Sequence, residues 1–234
     1  MQYSHMLEII KTADGSNTIF NQEVGENYHS KHGALQESRH VFINSGLVYF
    51  LENNPSKNSA SILEVGFGTG LNFLLSADFC TDKGIGLSYT GIEAYPLDPE
   101  MIGQTGYQEY VSASTWKNFI DRYTDSLTDE ITLNSNSKLQ IAHCKLLAFQ
   151  SARQFDIIYF DAFAVAHQPE MWDEAAISHT VKFLKPGGVF VTYAITGNLK
   201  RTLKALGCAV EKAKGAPGKR EMLRALKART DDFT

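Results

Sequence analysis

From Ser61 onward the chain alternates short apolar runs with stretches whose apolar residues recur at helical spacing. Five runs read as buried strands: Ile62–Val65, Leu87–Ile92, Leu139–Ala142, Phe155–Phe160 and Val189–Tyr193. A further pair lies near Cys208–Lys212 and Glu221–Leu226. Parallel strands need crossover connections, so strand and helix in alternation predict an α/β fold. The expected architecture is a mainly parallel seven-stranded sheet with helices on both faces.

Ahead of the sheet the pattern changes. Residues 1–32 read as a polar hairpin or extended arm, with DGSN (Asp14–Asn17) as the turn between Ile9 and Ile19. Gly33–Glu52 reads as a helix with Leu35, Phe42, Leu47 and Phe50 among its apolar positions. The polar stretch Asn53–Ser59 is linker-like, so residues 1–58 are expected to form an arm and helix, and residues 59–234 the sheet domain. The interval 96–136 is longer than a crossover requires. It is expected to be a helical insertion that covers the site, with Ser114–Tyr123 its clearest helix.

Composition narrows the class. A chain of 234 residues with 43% hydrophobic content suits one α/β domain with a decorated edge. No run approaches ~18 apolar residues, and MQYSHMLEIIKTADG lacks the basic and apolar regions of a signal peptide. A cytoplasmic protein without membrane association is expected. Cys80, Cys144 and Cys208 are widely spaced, so reduced, mostly buried thiols are expected. The net charge of -4 hides an asymmetry: residues 199–229 carry ten Lys/Arg against two acids, a net of +8. Such a block suits a phosphate backbone; a solvated helix and edge strand would account for it equally.

The stretch SILEVGFGTGLNFLL (Ser61–Leu75) carries the chemistry: a strand, three glycines at Gly66, Gly68 and Gly70, then a helical pattern. Glycines permit a tight turn and close approach of a ligand to the backbone. The spacing is G-x-G-x-G, one residue short of the dinucleotide fingerprint, and Glu64 precedes it. An acid there would repel a pyrophosphate but accept hydrogen bonds from a methionine ammonium, which favours S-adenosylmethionine over NAD.

In parallel sheets ligands sit at the carboxyl ends of strands. Glu93 closes the second strand and is placed to accept both ribose hydroxyls. Asp161 closes the fourth, after the apolar run Ile157–Phe160, and is placed to orient an amine and take its proton. Its plain alternative is a cap for a helix spanning Gln168–Leu184. LKPGG (Leu184–Gly188) reads as the turn into the fifth strand. No H-x-x-x-H or H-E-x-x-H pair and no G-x-S-x-G occurs, so neither a metal site nor a common hydrolase is expected.

Taken together, DGSNT, ENYHSKHGALQESRHVF, LEVGFGTGLNFL, IEAYPL, YFDAFA with QPEMW, and GKREML resemble the methyltransferase domain of the MnmC family over nearly the whole chain. The resemblance implies a Rossmann-like class I S-adenosylmethionine-dependent methyltransferase. The reaction it implies is methylation of the primary amine of 5-aminomethyl-2-thiouridine at the tRNA wobble position. It implies that Glu64, Gly66, Gly68, Gly70, Asn72, Glu93 and Asp161 bind cofactor, with Asp161 also catalytic. It assigns Tyr28, His29, Ser30, Glu37, Phe163, Lys219 and Arg220 to the substrate. No FAD is expected in this chain, so a separate enzyme would supply the aminomethyl base; the protein would be a monomer or homodimer. One departure stands out: where the family carries Gly-Asp after the third strand, the chain reads His143-Cys144-Lys145, and lysine cannot accept a hydrogen bond from adenine. Two rival readings remain at this point, an aminopropyltransferase of the spermidine synthase type and a noncatalytic tRNA-binding protein.

Overall fold

The computed structural model describes residues 6–229. A three-stranded antiparallel sheet, β1 (Leu7–Lys11), β2 (Asn17–Asn21) and β3 (Glu26–Asn27), opens the chain. Lys11 pairs with Asn17 across the Asp14 turn, where the Asp14 carboxylate accepts the Ser16 backbone N–H at 3.0 Å. A continuous helix follows: α1 (Ala34–Glu37), an 11-residue π-helical run (Ser38–Val48) and α2 (Tyr49–Glu52). Gly46 faces Tyr159 and Val191 so closely that a Cβ would lie 2.9 Å from the tyrosine ring. Glycine there lets the widened helix lie directly on the sheet.

The main sheet contains β4 (Ser59–Val65), β5 (Gly86–Glu93), β6 (Ile131–Thr132), β7 (Ser137–His143), β8 (Phe155–Phe160), β9 (Leu184–Thr192), β10 (Cys208–Lys214) and β11 (Glu221–Lys227). Its order is β10-β11-β9-β8-β4-β5-β7-β6. The centre is parallel; only β11 and β6 run against their neighbours' common direction. Eight strands replace the expected seven because the insertion adds the two-residue β6 on the outer edge of β7. The rest of the insertion is helical, α4 (Pro99–Gly103) and α5 (Ala113–Ser126), and Ser112 caps α5.

Side chains on successive strand positions enter opposite cores. Ile62, Tyr89, Ile157, Tyr159 and Val191 face Phe42, Leu47 and the residues Phe73 and Leu74 of α3 (Leu71–Lys83). Leu63, Val65, Ile158, Phe160 and Phe190 face α6 (Glu174–Val181) and α7 (Gly197–Ala205). The N-terminal helix is thus one wall of the core.

Two local expectations change. Helix α6 begins only at Glu174, because Asp173 caps it by accepting the Ala176 N–H at 2.7 Å, and Pro169–Trp172 forms a separate 3-10 turn. Asp161 is therefore not a helix cap. LKPGG is not a free turn: Phe155 pairs with Leu184 and Ile157 with Val189, so Lys185–Gly188 bulge from β9, with Gly187 at φ 74. Among the described residues Cys80, Cys144 and Cys208 are free thiols, no helix is long and apolar enough to cross a membrane, and no His/Cys/Asp/Glu cluster could hold a metal.

Candidate active site

The glycine turn joins β4 to α3 at the middle of the sheet, where β4 lies between β8 and β5. Gly66, Gly68 and Gly70 have φ of 84, 52 and 77, the left-handed region that disfavours a side chain. The turn is pinned by Gly66 and Phe67 N–H groups donating to Ile92 O at 3.0 and 3.2 Å. A Cβ on Gly66 would stand 2.4 Å from Asp161 O, and one on Gly68 would stand 2.9 Å from the Tyr28 ring. Backbone and aromatic neighbours, rather than the turn alone, require these glycines. Helix α3 has no side-chain cap at Gly70, so the positive end of its dipole faces the site.

Glu64 lies beneath the turn, fully buried. Its Oε1 accepts from Asn72 Nδ2 and its Oε2 from Tyr89 OH, both at 2.8 Å. Burial, then the neighbouring Asp161, raises its proton affinity. Each Glu64 oxygen thus has one protein donor, in a setting closed to solvent. Asn72 Nδ2 also donates to Asp161 Oδ2 at 2.8 Å, so one amide bridges the two carboxyls. Asn72 Oδ1 is buried with no protein partner, which marks unfilled polar capacity at this point.

Glu93 ends β5 and clamps the turn, with Oε2 accepting Gly68 N–H and Oε1 accepting Tyr95 N–H, both at 2.9 Å. A carboxylate has about four acceptor sites, so lone pairs remain for a diol. His143 is the register partner of Glu93, and Cys144 N–H donates to Glu93 O at 3.1 Å. The His143-Cys144-Lys145 segment thus adjoins the ribose-side acid. Tyr95 and Leu147 stand out here as exposed apolar side chains, at 65% and 57%.

On the other side of the turn Asp161 follows β8. Burial first, and the Glu37 charge second, push its carboxyl up to about 8, while Asn72 and Lys219 oppose the shift. Glu37 and Glu26 both act on it from the N-terminal arm. Glu26 Oε2 accepts Ala164 N–H at 2.8 Å, and His167 Nδ1 lies 3.0 Å from Val24 O, so β3 and its turn hold the loop after β8. Tyr28 and Phe163 meet edge to face at 5.1 Å, forming an aromatic wall between the arm and that loop.

Three of the residues assigned to the substrate have partners within the protein. His29 is buried against Tyr107, and its backbone N–H donates to Thr18 Oγ1 at 3.0 Å. Ser30 offers its backbone: its N–H donates to Glu37 Oε2 at 2.8 Å. Lys219 donates to Glu37 Oε1 at 2.5 Å and lies 3.8 Å over the Tyr193 ring, whereas Arg220 is exposed. Glu26, Tyr89 and Tyr193 were not anticipated. Tyr193 could have been found, since it immediately follows β9 at a carboxyl end; Glu26 and Tyr89 carry no local signal.

Burial pulls His29 down to about 4. The folded protein then refuses a proton that the unfolded chain accepts below about 6.5, so stability is lost as pH falls through that window. The expected result is a drop in melting temperature between about pH 7 and pH 5 that is smaller in His29→Gln. An equal drop in both proteins would remove His29 from the account.

Comparisons with known proteins follow this geometry. A family model described as S-adenosyl-L-methionine-dependent methyltransferase matches residues 110–228. The chain is 29% identical over 216 residues to the tRNA 5-methylaminomethyl-2-thiouridine biosynthesis bifunctional protein MnmC of Leptospira interrogans, covering 88% of this chain and 33% of that protein. With the protein of the same name from a Marinomonas species it shares 30% over 210 residues, 83% of this chain and 30% of that protein. It spans about a third of these relatives. In structure it is similar to MNMC2 from Aquifex aeolicus, with a TM-score of 0.75 at 23% identity over 94% of this chain and 70% of that one. DesVI of Streptomyces venezuelae gives 0.51 at 13% identity over 82% and 93%. Both structural likenesses are likenesses of fold.

Proposed function

Because the chain belongs to the S-adenosyl-L-methionine-dependent methyltransferase family, we propose that it methylates the primary amine of 5-aminomethyl-2-thiouridine at the tRNA wobble position, giving 5-methylaminomethyl-2-thiouridine. The observation that carries this reading is the convergence of Asp161, Glu37 and Glu26 beside the glycine turn. An alkyl amine reaches neutral solution as an ammonium. Acids draw it in, and Asp161 removes the proton that blocks its lone pair. The names of the relatives, which concern tRNA 5-methylaminomethyl-2-thiouridine, support the same acceptor.

The residues present suit the cofactor, which when bound supplies an electrophilic methyl on a positively charged sulfur. Glu93 would hold the ribose diol, and the uncapped N-terminus of α3 the amino-acid carboxylate. The orphaned Asn72 Oδ1 offers an acceptor to the cofactor's ammonium. With lysine in place of the family's acid, adenine would be met by backbone groups near Cys144 and by the Tyr95 ring. The Tyr28–Phe163 wall would stack the acceptor base. The edge formed by α7, β10 and β11 presents Lys200, Arg201, Lys204 and Arg220, a phosphate-binding edge for tRNA.

Mass spectrometry of nucleosides tests the assignment. After incubation with S-adenosylmethionine, tRNA bearing 5-aminomethyl-2-thiouridine is expected to gain one methyl on that nucleoside. Intact cofactor binding without a gain would move the acceptor elsewhere.

A further inference from the structure

Lys219 has the sequence signature of an RNA contact but not the surroundings of one. Its half-buried ammonium lies between Glu37 Oε1 at 2.5 Å on one side and the face of Tyr193 at 3.8 Å on the other. Glu37 is almost fully buried and its second oxygen is taken by Ser30 N–H. Tyr193 OH donates to Ala162 O at 2.8 Å, the residue after Asp161. A cation held this way is already paired on both sides, by a buried carboxylate and by a ring whose hydroxyl is tied to the residue after Asp161.

We propose that Lys219 is a positioning residue of the acceptor pocket, a fixed cation that holds the neighbouring amine in its neutral, nucleophilic form, and not a phosphate contact. The inference rests on the amine-methylation reading. The groups around this point are Glu26 from β3, Glu37 from α1, Glu64 from β4, Asp161 after β8 and Tyr193 after β9, with His32 against Gly218 beside Lys219. Without Lys219 the pocket is purely acidic, which binds an ammonium well and also keeps it protonated. A cation a short distance away opposes that protonation, as a neighbouring cationic group does for catalytic amines. It also favours the ionised form of Asp161, the form that takes the proton. The step balances: the ammonium gives one proton to Asp161, its freed lone pair forms the N–C bond, the C–S bond breaks with its electrons going to sulfur, and the methylated amine leaves as a cation. Asp161 returns its proton to solvent.

The test uses Lys219→Met, Lys219→Arg and the double variant Lys219→Met/Glu37→Gln, which leaves no buried carboxylate unpaired. Wild-type turnover and cofactor calorimetry are measured first, so failure of the methylation reading shows as an inactive wild type. The acid limb of kcat/KM against pH is then expected to move upward in Lys219→Met, with the rate recovering at alkaline pH, to stay in place in Lys219→Arg, and to fall back in the double variant, where the Glu37 charge that raises Asp161 is gone as well. Carbon-13 NMR of labelled aspartates, which needs no turnover, is expected to show Asp161 titrating higher in Lys219→Met. A raised KM for tRNA with a shallower salt slope and an unmoved limb would make Lys219 a phosphate contact. An equal loss at every pH, with Asp161 titration unchanged, would make it a structural strut. Either result overturns the proposal.

Discussion

Asp161→Asn is expected to lower methyl transfer by about 10²- to 10⁴-fold, the range for loss of a positioned proton acceptor, while cofactor binding stays within a few fold. The amide keeps the shape that Asn72 bonds but cannot take a proton. Because the carboxyl is pushed up to about 8, wild-type kcat/KM should fall on an acid limb near that value, and the limb should vanish in the variant. The same substitution should have the opposite effect on stability. With the folded pKa raised, the native state holds a proton that the unfolded chain has released, so Asp161 makes the fold less stable as pH rises from about 4 through 8. Asp161→Asn should therefore melt above the wild type at alkaline pH. Unchanged turnover in the variant would remove Asp161 from the chemistry, and a lower alkaline melting point would show that burial does not oppose its charge.

The second large effect belongs to the backbone. Gly66→Ala is expected to weaken cofactor binding at least tenfold and to lower the melting temperature by several degrees. The left-handed conformation alone costs about 1–3 kcal/mol for a residue with a side chain. In addition the new methyl would meet Asp161 O at 2.4 Å and its carbonyl carbon at 3.0 Å, so β4 and β8 must part where the site is built. Gly15→Ala separates the two costs: φ is 87 and the space around it is open, so only the conformational penalty applies. Equal losses in the two variants, by calorimetry and thermal melting, would show that the Asp161 contact carries no weight.

Much of this arrangement is legible in the chain because strands announce themselves locally. Ile157–Phe160 is apolar on both faces and is buried at every position; Asp161 stands out as the first charged residue after it. Glu93 and the three glycines are found by the same rule of strand ends. The hidden parts depend on partners far away in sequence. Lys219 meets Glu37 across 182 positions and Ala164 meets Glu26 across 138, and no window of local pattern contains such pairs. Lys219 and Arg220 look alike as neighbouring bases, yet one is pinned in the pocket and the other lies in solvent. His29 is hidden in the same way, since its burial against Tyr107 and Thr18 depends on residues outside its own motif. The two-residue β6 is too short for any period to register, and the bulge at Lys185–Gly188 arises from the register of β9 against β8.

The helix running from Ala34 to Glu52 rests on β8 and β9, with Gly46 against Tyr159 and Val191. On a ribosome it emerges roughly a hundred residues before β8 and β9, so the part of its apolar face that they cover has no native partner while α3 and the first strands of the sheet are being made. Closure of that long loop is expected to come late in folding, as the step that completes the core. A chaperone that shields this one helix would then act on the stage at which the nascent chain is most prone to aggregate, and joining the helix after β11 by circular permutation would shorten the wait.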